Sequence, residues 1–351
     1  MGLSILGIGT VSALGSGVQT LREGLQRKVK PNIEKKLIPT VNGDQVLPIY
    51  QPIPNGLDRF IPKRALRRID QFAQQALLST HLAIEDAEIE FEDKSRVGIV
   101  FGSGYGPTRT TFKFLDNIID DGDIGASPTH FANSVHNALA SQISIFLGLT
   151  GPCSTVTCFE HTLSNVLITA QDWLDQNIVD HVLVGLGDEY CDVLGYASIG
   201  IDSSKGKELK PLNYMDCTFL PGEGHITFLI SNDKTGQPTY ATISEIQIRK
   251  NIDDTNKIIY DDPIIINAMG KLNQGKTFSK LKQNRVNSYT ELYGGMPISG
   301  AFDMAVACLS LKDKKLYPMP GSNINKTVLE NSITCLEYCQ DEEFNIYKFE
   351  S

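Results

Sequence analysis

Val97-Gly98-Ile99-Val100-Phe101 runs straight into Gly102-Ser103-Gly104-Tyr105-Gly106, an apolar run of strand length that breaks on glycines. A run without polar alternation is the pattern of a strand buried on both faces, and glycine lets the chain turn sharply off its end. Residues 5–8 and 182–187 repeat the pattern, each followed or closed by glycine. Between these runs, 65–87 carries Leu66, Ile69, Phe72, Ala76, Leu77, Leu82 and Ile84 at helical period, with Ser79 the expected point of interruption. Residues 162–176 carry Leu163, Val166, Leu167, Ala170 and Leu174 in the same way. Buried strand alternating with amphipathic helix predicts an α/β fold.

A further strand is expected at 225–230. It ends at Ser231-Asn232-Asp233-Lys234-Thr235-Gly236-Gln237-Pro238, whose polar, Gly and Pro content is the strongest boundary signal in the chain. Two lobes follow, 1–233 and a shorter 234–351, the second with a buried strand at 264–266 and a central helix at 298–311. The 351 residues are 41% hydrophobic and 21% charged, enough apolar material for a sizeable core, with no segment polar enough to read as disordered. No apolar stretch approaches the ~20 residues that cross a bilayer. The apolar start has no basic lead and no cleavage site and reads as the first core strand, so a cytoplasmic protein is expected. With 32 basic against 41 acidic residues the net charge is -9, which argues against a nucleic-acid binder. Seven cysteines without a CxxC pair fit a reducing compartment, and neither a metal nor a cofactor is expected. Cys335 and Cys339, at helical spacing, have no histidine or second cysteine pair nearby, so they read as core or surface thiols.

The glycine turn at 102–106 fits neither the dinucleotide fingerprint nor a Walker loop, and by itself it is a generic strand-to-helix turn. It becomes specific beside its neighbours: Arg67-Arg68-Ile69-Asp70-Gln71-Phe72, Phe131-Ala132-Asn133-Ser134-Val135-His136-Asn137, Gly151-Pro152, Gly187-Asp188-Glu189 and Gly222-Glu223-Gly224. Their order and spacing resemble those of the β-ketoacyl synthases, from Gly7 to about Ile230 and more thinly beyond. The resemblance implies the thiolase-like fold, a five-layer αβαβα sandwich of two related halves that normally dimerises. The second half is shortened here, between Glu223 and Asn267 and between Met269 and Tyr289, so trimmed cover helices are expected.

The resemblance also locates the family's catalytic groups. Condensing synthases use a cysteine at a helix N-terminus, where the dipole favours the thiolate, with two histidines that help decarboxylate the malonyl carrier. Counted without gaps from Gly151-Pro152, the nucleophile position falls on Glu160; the histidine positions fall on Met269 and Gly294, and an accompanying lysine position on Tyr289. The six histidines are His81, His130, His136, His161, His181 and His225, so none follows position 225. A carboxylate is a poor acyl acceptor, because a mixed anhydride would be a high-energy intermediate. Self-sufficient condensation is therefore not expected. Other readings stay open: Cys158 as nucleophile with His161 as base if two residues are deleted after Pro152, Glu160 polarising a carrier-bound thioester, or Glu160 closing a vestigial pocket.

Synthase homologues that lack the cysteine and both histidines resemble the chain length factors of type II polyketide synthases, which pair with an active ketosynthase and share its acyl tunnel. The resemblance places tunnel-wall positions on Thr108, Thr111 and Leu115, whose i, i+3, i+7 spacing shares one helix face; ordinary core packing is the alternative. Lys63, Arg64, Arg67 and Arg68 put four positive charges into six residues of an acidic chain. They are the expected docking surface for an acidic acyl carrier protein, the alternative being a solvated helix start with Arg67 or Arg68 paired to Asp70. The runner-up function is a degenerate enzyme, a malonyl-carrier decarboxylase or acyl transferase built on Glu160, Cys158 or His161. A third is a scaffold for carrier and ketosynthase.

Overall fold

The computed structural model describes residues 2–201, 220–232, 239–250, 262–267, 286–320, 331–339 and 343–351. Among them the strands are β1 (Leu3–Ser12), β2 (Gly15–Ser16), β3 (Ile33–Ile38), β4 (Gln45–Tyr50), β5 (Val97–Gly102), β6 (Cys153–Val156), β7 (His181–Asp188), β8 (Gly224–Asn232), β9 (Ala241–Lys250), β10 (Ile264–Asn267), β11 (Val286–Asn287), β12 (Ser332–Tyr338) and β13 (Glu343–Glu350). The helices are α1 (Val18–Leu25), α2 (Gln71–Ala87), α3 (Thr108–Asp121), α4 (Pro128–Ser134), α5 (Ala138–Leu147), α6 (Thr162–Asp175), α7 (Asp192–Ile201) and α8 (Gly300–Lys312). The apolar runs at 97–101 and 182–187 are β5 and β7, and every residue of β5 is buried.

One sheet carries the order β11-β10-β12-β13-β9-β1-β8-β7-β5-β6. It contains a repeat. In β1, β5, β6, β7 and β8 the spatial order, counted along the chain, is third, second, fourth, fifth, first; β9 to β13 have the same order. In each set only the fifth strand, β8 or β13, runs against the others. The two sets join edge to edge where β1 pairs antiparallel with β9, Leu3 opposite Ile243 and Ile5 opposite Ala241. The expected junction after Asp233 lies in 233–238, outside the described residues, between the end of β8 and the start of β9. The connection from β9 to β10 is only 251–263, against 13–96 from β1 to β5, which is where the second half is short.

Helices α2 and α5 cover one face of the first strand set, burying Phe72, Ala76, Leu77, Leu139 and Ile143 against Leu6, Ile99, Phe101 and Leu229. On the other face α6 and α8 share a second core, with Val166, Leu167 and Ala170 among Val100, Val182, Val184, Phe302 and Val306. Every residue of α8 from Gly300 to Leu311 is buried, as an all-round apolar helix between two layers must be. The close fit of α2 on β1 depends on glycine: a Cβ at Gly7 would stand 2.2 Å from the Ala83 carbonyl oxygen, and one at Gly9 1.9 Å from that of Ser79.

Two local expectations are corrected. The 65–87 stripe breaks at Ile69-Asp70, not at Ser79: 65–68 is a 3-10 turn, and Asp70 accepts the Ala73 amide at 2.9 Å as the cap that starts α2. Ser79 stays inside the helix by donating its hydroxyl to the Ala76 carbonyl at 3.0 Å. Cys335 lies in strand β12 and Cys339 just past its end, so their spacing is not helical; both are buried. No helix among the described residues is long and apolar enough to cross a membrane.

Candidate functional site

The motifs at 67–72, 102–106, 187–189 and 222–224 converge on one buried network. Asp188, at the end of β7, accepts from the Ser103 hydroxyl (2.7 Å) and the Gly104 and Tyr105 amides (2.9 and 2.8 Å). Its other oxygen accepts the Ile298 amide (3.2 Å), tying the glycine turn to the approach of α8. Burial pushes the Asp188 carboxyl up to about 6, against the pull of these donors. Glu189 accepts the Arg109 amide (2.7 Å), and burial pushes it up to about 8 although the guanidinium lies 3.6 Å away. Glu223 accepts from Arg109 Nη2 (2.7 Å) and Gln75 Nε2 (2.8 Å). The Gln75 side-chain oxygen faces His225 Nδ1 (3.2 Å), and desolvation pushes that imidazole down to about 3, so it is neutral at physiological pH. These residues build the scaffold around α3 and the α8 approach.

Glu160 stands where α6 begins. Phe159 has the left-handed φ of 43°, and the turn Phe159–His161 carries Glu160 inward, 5% exposed. The Glu160 carbonyl accepts from Asn345 Nδ2 at 3.0 Å, with Cys339 Sγ 3.7 Å away. Asn345 Nδ2 also donates to Glu337 (3.1 Å), which accepts from the Tyr347 hydroxyl (3.2 Å), itself paired with Ser164 (2.8 Å). Strands β12 and β13 thus lay a polar network across the start of α6. The His161 ring lies 3.1 Å from Asn345 Oδ1 through Nδ1 and 3.1 Å from Glu343 through Nε2, with Lys250 on the far side of Glu343 at 3.3 Å. Both ring nitrogens thus face Asn345 and Glu343, while the Cys158 side chain is exposed.

At the position given for the second histidine, Gly294 has a left-handed φ of 79°, and a Cβ there would stand 2.8 Å from the Tyr50 ring. Met269 lies outside the described residues. Tyr289 is buried and donates to the Tyr317 carbonyl at 2.6 Å. The sequence reading missed Asp303, an acid on the all-buried helix α8. It accepts from the Tyr293 hydroxyl and from Asn267 Nδ2 (2.8 Å), and burial pushes it up to about 7. A charge inside the apolar run 301–309 was the available signal. Asn345, Glu337 and Tyr347 carried no such mark, since only the strand pairing brings them to α6. Among the described residues no group of His, Cys, Asp and Glu is arranged to hold a metal ion.

Thr108, Thr111 and Leu115 all lie on α3. Thr108 and Thr111 are half-buried, Thr111 donating to the Pro107 carbonyl at 2.9 Å, while Leu115 is 42% exposed. Beside them Ile119 is 77% and Phe131 58% exposed, and Phe131 packs on Phe114 at 5.5 Å between ring centroids. Strand β6 ends the sheet next to β5. Lys63, Arg64, Arg67 and Arg68 are exposed; Lys63 lies 3.9 Å from Asp58, and the Asp70 oxygens accept from the Ala73 amide and the Thr110 hydroxyl (2.8 Å). A cleft of about 460 Å³ opens beside Lys63, Leu66 and Arg67.

The family model described as beta-ketoacyl synthase, N-terminal domain, matches residues 52–199, which hold three of the four converging motifs. Over that stretch the chain is similar to the N-terminal domain of the β-ketoacyl synthases. It is 28% identical over 155 residues to 3-oxoacyl-[acyl-carrier-protein] synthase 2 of Staphylococcus aureus (strain N315), covering 42% of this chain and 36% of that protein. To the protein of the same name in Coxiella burnetii (strain RSA 493 / Nine Mile phase I) it is 26% identical over 255 residues, 68% of this chain and 60% of that one. The chain therefore aligns with less than two thirds of the length of these curated relatives. Its fold extends along whole solved chains: the ishigamide ketosynthase/chain length factor (TM-score 0.76, 16% identity, 100% of this chain and 99% of that one). The ketosynthase ApeO in complex with its chain length factor ApeC from Xenorhabdus doucetiae is similar in the same way (TM-score 0.77, 13% identity, 99% and 98%). At these identities the likeness establishes the thiolase-like ketosynthase fold.

Proposed function

We propose that this chain, with its ketosynthase fold, is a non-catalytic chain length factor, which pairs with an active ketosynthase of a type II polyketide synthase and supplies part of the wall of its acyl tunnel. The observation that carries this reading is the start of α6, where Glu160, to which the count from Gly151-Pro152 assigns the nucleophile position, is buried under a network of Asn345, Glu337 and Tyr347. Gly294 adds to it, since the ring of Tyr50 fills the space a side chain there would need. The counted positions 160 and 294 carry neither a thiol nor an imidazole.

The pairing rests on a second feature. Leu115, Ile119 and Phe131 form an exposed apolar face on α3 and α4, and β6 presents a sheet edge on the same half. Exposed apolar patches and open strand edges are liabilities that association removes. The acyl carrier protein docks, in this reading, at Lys63, Arg64, Arg67 and Arg68, a local positive surface that steers an acidic partner towards a chain of the same overall sign. The test is to purify the chain alone and co-expressed with a ketosynthase, and to offer each an acyl carrier protein loaded with a labelled acyl group. A stable one-to-one complex with label only on the partner is expected. Label covalently attached to this chain by itself would replace the proposal with the degenerate-enzyme reading on Glu160, Cys158 or His161.

A further inference from the structure

We propose that Arg109 is a positioning residue that aims α3, and through the direction of that helix sets where Thr108, Thr111 and Leu115 stand; the consequence for product length rests on the chain-length reading above. Arg109 lies in the first turn of α3 and reaches three other elements. Its amide donates to Glu189 Oε1 at 2.7 Å, and its guanidinium donates to Glu223 Oε2 (2.7 Å), the Tyr190 carbonyl (2.7 Å) and Gln71 Oε1 (2.8 Å). Both carboxylates are buried, one just past β7 and the other just before β8, and Gln71 is the first residue of α2. Next to it the Thr110 hydroxyl donates to Asp70 at 2.8 Å.

Beyond this anchor α3 is loosely held. Thr110 is the one buried residue of the helix. Its later turns meet α4, through Phe114 against Phe131 and Asn117 facing His130 Nδ1 at 3.0 Å, and α4 is tied to the body by Asn133 donating to the Arg68 carbonyl at 2.9 Å. The helix is a lever fixed at one end. At 1.5 Å rise per residue Leu115 lies about 9 Å along the axis from Arg109, so a tilt of about 10° moves it by roughly 1.5 Å, the width of a methylene step. A planar guanidinium with donors in a fixed fork defines such a direction, whereas an ammonium on a flexible stem meets one carboxylate and leaves the other buried without its cation.

The test uses the chain in complex with its ketosynthase, comparing Arg109→Lys, Arg109→Met and Glu189→Gln with Thr111→Trp as the control for the tunnel. Two readouts are taken: amide hydrogen exchange of residues 111–121, and the distribution of product lengths. The Arg109 variants are expected to co-purify with the partner and keep wild-type exchange in β5 and β7. They should exchange at least several-fold faster along α3 and broaden the product distribution, Lys less than Met. Wild-type exchange along α3 in both Arg109 variants overturns the positioning role. Wild-type products from those variants, when Thr111→Trp does shift the products, overturns its consequence for chain length. Unchanged products with Thr111→Trp as well would instead sink the tunnel reading, and the exchange data still decide what aims α3. Should Arg109→Met fail to fold, Arg109→Lys and Glu189→Gln, which keep the size of the site, carry the comparison.

Discussion

Asp303 is a buried acid whose partners among the described residues, Tyr293 and Asn267, are neutral. Burial raises it from its ordinary value to about 7, so the folded chain keeps this proton over a range in which the unfolded chain has released it. The stability that the proton contributes is complete below about pH 4 and is lost as the pH rises towards 7, at up to about 1.4 kcal/mol per pH unit. Asp188 and Glu189, raised to about 6 and about 8, act in the same direction. The midpoint of thermal unfolding is therefore expected to fall between pH 5 and pH 8, and Asp303→Asn should flatten that slope at the expense of one hydrogen bond to Asn267. An equal slope in the variant would remove Asp303 as its source. A second expectation at this scale concerns volume: Thr108 or Thr111 replaced by Phe or Trp should shorten the main product of the complex, read by mass spectrometry of the released chains, because a ring takes the room of several acyl carbons. Charge reversal at Arg64 and Arg68 should weaken carrier-protein binding by roughly tenfold at low salt and much less at 0.5 M salt, measured by titration, since exposed charges are screened there.

At the scale of elements, the sequence foretold what burial dictates and missed what pairing dictates. Strands β5, β7 and β8 and helices α6 and α8 were legible because each buries a continuous apolar run or stripe. The start of α2 was not, because a helical stripe continues through Ile69 while the Asp70 carboxylate, a local hydrogen bond, decides the break. Nor was the lid over Glu160, whose residues come from strands far along the chain. The positions of Glu160 and Gly294 could be counted from a resemblance, but their surroundings could not. The packing of α2 on β1 gives its own prediction. Gly9→Ala should lower stability by about 1–3 kcal/mol in urea unfolding, because the added methyl meets backbone, which cannot rotate away as a side chain would. Wild-type stability in that variant would mean that α2 can lift off β1 freely.

For the whole molecule, the strand order third-second-fourth-fifth-first appears twice and the copies meet at β1 and β9. The first copy has its long connection and its covering pair α2 and α5; the second has the short connection 251–263. The resemblance thinned after Ile230 for that reason: with the connections cut down, the strands that remain are short apolar runs of little individuality. A continuous ladder through both copies predicts one cooperative unfolding transition, the calorimetric and van't Hoff enthalpies agreeing, and two resolved transitions would contradict it.

Tyr50 makes position 294 easier to leave than to re-enter. A side chain at 294 would have to displace the Tyr50 ring and hold a left-handed backbone, so putting a larger residue there requires several simultaneous changes. The phenol ring works like the pawl of a ratchet, letting a bulky residue at 294 give way to glycine more readily than glycine could give way to a bulky residue.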